Sequence, residues 1–200
     1  MKLILVDKEN YKEAIRVQNS IFPNENGTLN IIASLDIDLF VKTTGLEYKN
    51  DHIKYYLAEV DGRYVGITGM YYYDEYIDSA WLGWYGVLPE YRNKGYGREI
   101  LRKTTDLAKE KGFKQMRLYT DFVDNHNAIN LYEEEGFVGE KYTLEKLSYD
   151  CWIYSKSLTE KEVELWNNKN LNLSYQSQLE HVNINQINDI ISIYDEMGDR

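Results

Sequence analysis

The chain of 200 residues is predicted to form an α/β domain. Three observations carry that prediction. Short runs rich in Val, Ile, Tyr and Trp alternate with segments whose apolar residues recur at helical spacing. One such run, Ser79–Val87, passes through a Gly-rich loop into an amphipathic helix. The turn Asp61-Gly62 separates two of the strand runs, and no apolar stretch is long enough to cross a bilayer, which takes about 18 residues.

The elements follow in order. Lys2–Asp7 is expected to be a strand. Glu9–Ser20 carries Ala14, Ile15 and Val17 on one side and is expected to be a helix that stops near Pro23. Residues 24–28 are loop-like. Leu29–Thr44 is expected to be a second helix, with Ile31, Ile32, Leu35, Leu39 and Phe40 on its buried side. Tyr55–Val60 and Tyr64–Tyr73 are strands around the turn Asp61-Gly62. Ser79–Val87 is a strand. Gly97–Lys111 is a helix with Ile100, Leu101, Leu107 and Ala108 as its stripe, ended by Gly112. Gln115–Thr120 is a strand, Asn125 opens another helix, and Phe137–Thr143 and Cys151–Leu158 close the order as a final pair of strands.

The loop after the third long strand run is rich in chemistry. It runs Val87-Leu88-Pro89-Glu90-Tyr91-Arg92-Asn93-Lys94-Gly95-Tyr96-Gly97-Arg98. A strand, a Gly-rich loop and a helix start turn several backbone N–H groups toward one point, a setting suited to a pyrophosphate. Gly95 and Gly97 let the backbone approach a ligand, and Arg92, Lys94 and Arg98 add positive charge. A dinucleotide fingerprint needs a third small residue where Ile100 stands, and a P-loop needs Gly-Lys-Ser/Thr; neither fits.

A second segment lies downstream: Asn125-His126-Asn127-Ala128-Ile129-Asn130-Leu131-Tyr132-Glu133-Glu134-Glu135-Gly136-Phe137. Asn125 suits a helix cap. Asn125, Ala128 and Tyr132 share one helix face, and the small Ala128 leaves space along it. Gly136 suits the residue just past a helix end.

Together these segments resemble the two signatures of the GNAT N-acetyltransferase superfamily: Arg-x-x-Gly-x-Gly at Arg92–Gly97, then Asn-x-x-Ala-x-x-Leu-Tyr-x-x-x-Gly-Phe at Asn125–Phe137. The resemblance covers about residues 1–158. It implies a mostly antiparallel mixed sheet of about seven strands flanked by helices. That sheet splays open between residues 79–87 and 115–120, and coenzyme A lies in the wedge. It implies acetyl-CoA as acyl donor. Its pyrophosphate would lie on Arg92, Asn93, Lys94, Gly95, Tyr96, Gly97 and Arg98, its pantetheine arm along Tyr85, Gly86 and Val87, and the arm and sulfur beside Asn125, Ala128 and Tyr132. Tyr132 would donate to the coenzyme A sulfur as the catalytic residue, with direct transfer and no acyl-enzyme. Gly83 and Gly86 point to a bulge that bends the strand away.

The strand Trp81–Val87 lacks the carboxylate that many relatives carry there. Glu75, Asp78 and Asp121 are nearby alternatives, each better read as a solvated loop charge, and Glu90 as a surface residue. His52, His126 and His181 show no metal-ligand spacing, so no metal is expected. Cys151 has no His partner in sequence reach and is read as structural. The run Tyr71-Tyr72-Tyr73 with Trp81 and Trp84 reads as strand packing in preference to an amine pocket.

A formal charge of −10 argues against nucleic acid and favours a small cationic amine as substrate. The lone Cys151 excludes an intrachain disulfide, and with no signal segment at Met1–Val6 the expected location is cytoplasmic. No membrane partner is expected, and a second copy of the chain is a candidate partner. Residues 159–200 form an acidic, Asn-rich extension with eight acids against three bases. Ile184, Ile187, Ile190, Ile191 and Tyr194 recur at helical spacing there, and a solvated extension fits the same composition equally. Three functions stay open: acetylation of a small amine, acetylation of a protein or peptide amine, and a non-catalytic acyl-CoA-binding module.

Overall fold

A computed structural model describes residues 1–23, 27–44, 52–121, 126–142, 151–167, 188, 189, 191 and 192. Its elements are β1 (Lys2–Leu5), α1 (Tyr11–Ile21), α2 (Gly27–Leu35), α3 (Ile37–Thr44), β2 (Lys54–Val60), β3 (Arg63–Tyr71), β4 (Ser79–Val87), α4 (Tyr96–Glu110), β5 (Gln115–Asp121), α5 (His126–Glu134), β6 (Val138–Tyr142) and β7 (Cys151–Ser157). They build a seven-stranded sheet in the order β1-β2-β3-β4-β5-β7-β6. Every pairing is antiparallel except β4 with β5.

The sheet is covered on both faces, because its strands alternate. Trp81 points into a cluster with Ala14, Val17, Ile31, Ile32 and Phe40 from α1, α2 and α3. Its neighbours Ala80 and Leu82 point into the opposite cluster with Leu101, Ala108, Ile129 and Tyr132 from α4 and α5. The aromatic run behaves as packing: Tyr71, Tyr73 and Trp81 form a ring cluster, and Trp84 leans on Phe22 at 5.0 Å.

The expected single helix Leu29–Thr44 is two helices. Asp36 interrupts it as the N-cap of α3. Its Oδ1 accepts the Leu39 N–H at 3.0 Å, while its carbonyl accepts from Phe40 at 3.1 Å. At Asp61 and Gly62, φ values of 50° and 73° give the tight hairpin turn between β2 and β3. The strand expected over Tyr64–Tyr73 stops at Tyr71.

Both Gly-terminated helices end alike. Past α4, Gly112 N–H donates to Lys109 O at 2.9 Å and Phe113 N–H to Ala108 O at 3.1 Å. Past α5, Gly136 N–H donates to Glu133 O and Phe137 N–H to Tyr132 O, both at 3.0 Å. These are Schellman ends, and they require the positive φ of 88° and 82° at the two glycines.

The segment after β7 contributes a core residue. Trp166 is fully buried, edge-on to Trp81 at 5.0 Å and to Tyr76 at 4.6 Å. The Glu140 carboxylate accepts the Trp166 N–H at 2.6 Å and the Asn167 N–H at 2.7 Å. Arg117 lies over the Trp166 ring at 5.2 Å and donates to Ser79, Ser155 and the Glu164 carbonyl. Farther on, Ile184, Ile187, Ile190 and Tyr194 lie outside the described residues, and Ile191 packs against the core.

Candidate acyl-transfer site

The centre of the site is a gap in the sheet. β4 and β5 pair only from Ser79↔Gln115 to Trp81↔Arg117. Beyond that point β4 stays paired with β3, and β5 with β7. Leu82–Val87 therefore presents one unpaired edge to the wedge, as the splayed sheet requires.

Two features bend β4 out. Gly66↔Val87 and Ile67↔Gly86 are followed by Gly69↔Gly83, so β4 spends one extra residue as a bulge. At Gly83 an added Cβ would sit 3.2 Å from the Gly69 Cα, and at Gly86 it would meet Ile21 Cγ2 at 2.5 Å. The glycines thus let β3 and the end of α1 close onto β4.

The loop follows directly. Pro89–Tyr91 forms a 3-10 turn, and Asn93 and Gly95 take φ of 62° and 81°. Gly95 is the N-cap of α4, so its turned backbone aims N–H groups of the loop and first turn outward. Arg92 is exposed and donates to the Val87 carbonyl at 3.1 Å. Lys94 donates to the Glu90 carbonyl at 3.1 Å and lies 5.3 Å from the Tyr91 ring. Tyr85 reaches from β4 to donate to the Gly97 carbonyl at 2.7 Å, and an added Cβ at Gly97 would sit 3.2 Å from that hydroxyl. Tyr96 is half-buried beside Tyr91.

Across the wedge stands α5. Tyr132 is buried at 7% exposure, 6.3 Å from the Tyr85 ring, 6.0 Å from Phe137 and 5.9 Å from Tyr154. Burial pushes both the Tyr132 and Tyr85 phenols far above their ordinary range. Ala128 is half-buried one turn earlier on this helix. Asn125, the expected cap, lies outside the described residues.

Sequence reasoning missed the link between the two sides. Arg102 donates from Nε to Glu135 Oε2 at 2.7 Å and from Nη2 to Oε1 at 2.9 Å. Arg98 donates from Nη1 to Glu135 Oε1 at 2.9 Å and from Nη2 to Glu134. Glu135 caps α5 just before Gly136, and its carboxyl is held below the usual range by Arg102 first and Arg98 next. Its signal in the sequence was an acid before the helix-ending Gly, paired with arginines four residues apart on another helix. Nothing local joins those positions.

The carboxylates weighed as a base divide. Glu75 and Asp78 sit at the start of β4, the far end of a nine-residue strand from Val87, and Asp78 pairs with Lys114 at 2.8 Å. They line a separate cavity of about 440 Å³ with Ser79, Gln115 and Trp166, sharing no residue with the wedge. Asp121 ends β5 at the open end. His126 is exposed, and Cys151 is buried in β7. Among the described residues no group of three His, Cys, Asp or Glu side chains could hold a metal. Nor is any described helix long and apolar enough to cross a membrane.

Comparison with known proteins agrees with this architecture. The family model described as Acetyltransferase (GNAT) family matches residues 22–137. Among curated proteins, a probable N-acetyltransferase camello from Xenopus laevis is 32% identical over 88 residues, 44% of this chain and 40% of that one. A thialysine N-epsilon-acetyltransferase from Mus musculus is 37% identical over 83 residues, 38% of this chain and 46% of that one. The chain thus spans under half the length of the curated relatives it matches. Among solved structures, a spermidine N-acetyltransferase SpeG chimera from Vibrio cholerae and hSSAT superposes with a TM-score of 0.61 at 15% identity, covering 79% of this chain and 97% of that one. The ribosomal-protein-S18-alanine N-acetyltransferase from Escherichia coli gives 0.55 at 16% identity, covering 82% and 98%. At such identities the likeness is one of fold.

Proposed function

The chain belongs to the acetyltransferase (GNAT) family, and from that premise we propose that it moves an acetyl group from acetyl-CoA to the primary amine of a small molecule by direct transfer. The observation that supports this best is the meeting, at one wedge, of the turned loop, the unpaired β4 edge and buried Tyr132. The residues fit such a donor. The loop residues Arg92, Asn93, Lys94, Gly95, Tyr96, Gly97 and Arg98 suit its pyrophosphate, through backbone N–H groups from Asn93 onward, the Arg92 N–H being given to the Pro89 carbonyl. The wedge-side edge of β4 at Tyr85, Gly86 and Val87 suits the pantetheine amides, and Asn125, Ala128 and Tyr132 suit the arm and sulfur. Bound acetyl-CoA supplies an activated acyl group as a thioester.

In this reading Tyr132 is the general acid. Its raised pKa keeps the proton on the phenol until the departing sulfur needs it. A backbone N–H near Val87 stabilises the negative charge that develops on the carbonyl oxygen. β4 offers no carboxylate, so the amine reacts as its free base or gives its proton to water. The charge of −10 draws a cationic amine toward the protein. The relatives named for spermidine and thialysine point the same way. A cytoplasmic location belongs to the same reading. The test is a panel of amines with acetyl-CoA, reading thiol release. Small amines such as spermidine and thialysine are expected to react. Release driven by peptides alone favours a protein acetyltransferase, and release by none favours a non-catalytic module.

A further inference from the structure

Arg98 stands one residue beyond Gly97 on the first turn of α4, yet its guanidinium is directed across the wedge to the end of α5. It holds two acids there, and they are unlike. The Glu135 side chain is 6% exposed, while Glu134 is 59% exposed and Arg98 itself 40%. Glu135 is also shared with Arg102 through both oxygens. A buried carboxylate bonded by two arginines is not given up readily, because its loss strands charge in a poorly solvated place. An exposed pair is weak, since water screens it and two flexible side chains must be held. A pyrophosphate carries two negative charges against the one of a carboxylate and accepts the same planar fork.

We propose that Arg98 is a donor-phosphate ligand which exposed Glu134 occupies as a stand-in anion in the free protein, while buried Glu135 fixes where Arg98 sits. The inference rests on the donor site proposed above and adds an exchange to it. When a phosphate arrives, Arg98 Nη2 leaves Glu134 for a phosphate oxygen, and Glu134 turns to water. Nη1 stays on Glu135. Glu135 is therefore a positioning residue: it ties α4, which carries the loop, to α5, which carries Tyr132. Glu134 acts against donor binding. Adjacent acids thus have opposite effects, which a merely structural ion-pair cluster would not produce.

The test is calorimetry of coenzyme A binding to the full chain. Glu134→Gln is expected to tighten binding about two- to fivefold, the worth of one exposed pair. Arg98→Gln is expected to weaken it about tenfold. In the double variant Glu134→Gln should add nothing to the Arg98→Gln value. Steady-state rates should show the Glu134→Gln gain in KM for acetyl-CoA with kcat unmoved. Glu135→Gln should weaken binding, the opposite sign to its neighbour. If Glu135→Gln does not fold, the cycle between Glu134 and Arg98 still decides. Unchanged or weaker binding by Glu134→Gln overturns the proposal. So does an equal gain with and without Arg98, which would mean simple repulsion between Glu134 and the phosphates. Absence of coenzyme A binding by the wild-type protein removes the donor site itself, and this exchange with it.

Discussion

The position α5 gives Tyr132 pushes its phenol pKa above the ordinary range. Three aromatic rings pack round its ring, and a phenolate there would be poorly solvated. At neutral pH the phenol has a proton to give, and giving it leaves a poorly solvated phenolate behind. Tyr132→Phe keeps the packing and removes the proton, so turnover should fall about 10²-fold with donor affinity little changed. Steady-state kinetics with coenzyme A calorimetry would show it, and lost affinity at unchanged turnover would make Tyr132 a packing residue. Gly97→Glu places a side chain and a negative charge beside Tyr85 and the loop; it should abolish measurable donor binding in a protein that still melts cooperatively. Glu135 adds a pH dependence. Its folded pKa lies below the ordinary value of 4.5. Such a group stabilises the fold above its unfolded pKa and loses that contribution as pH falls through the folded value. Glu135→Gln should melt below wild type at about pH 7, and the gap should narrow by about pH 3.5. A gap independent of pH contradicts the assignment. That Gly97, Tyr132 and the loop cations lie around one wedge was legible because their spacing within each segment is local. Glu135 was not, because its partners come from a helix more than thirty residues away in sequence.

Among the elements, helix ends decide how the site is aimed. The Schellman end of α5 fixes the carbonyl of Tyr132 and the direction of Glu135 together, and only a residue at ease with φ of 82° closes it. Gly136→Ala should cost about 1–2 kcal/mol, the penalty for a Cβ in the left-handed region. For a domain of this size that is a melting shift of about 3–8 °C. A melting temperature within a degree of wild type would show that the turn is not strained. Both glycine stops were readable, since Gly after an amphipathic stripe carries one physical meaning. The break at Asp36 was not. Ile32, Leu35 and Leu39 keep helical spacing straight through it, and an Asp inside a helix looks in sequence much like an Asp capping a new one. The bulge was readable from Gly83 and Gly86, because a strand interior has few other uses for two glycines.

The whole molecule is a sheet pinned at one end and opened at the other. Three β4–β5 residue pairs hold the pinned end, and Arg117 and Trp166 pack beside it. Trp166 comes from beyond the last strand, in an acidic stretch whose composition resembles a solvated tail; one buried Trp there leaves no periodic trace. Trp166→Ala should lower unfolding stability by about 3–5 kcal/mol, the range for truncating a large buried side chain. Ending the chain after Leu158 should do at least as much. Urea unfolding would read both, and a loss under about 1 kcal/mol for Trp166→Ala would show that the segment is only draped on the core. The pairing of β6 with β7 was legible as two adjacent strand runs. The insertion of β7 between β5 and β6 was not, because strand order depends on which edge the chain returns to.

The activity proposed for the wedge is transfer of an acetyl group to an amine. The most direct measurement is amine-dependent thiol release from acetyl-CoA by the full chain, with the acetylated product weighed by mass spectrometry. One acetyl group is expected on the amine for each thiol released, with the protein itself unmodified at every stage of turnover. A folded protein that binds coenzyme A but releases no thiol with any amine, or that accumulates an acetyl group on its own side chains during turnover, would contradict it.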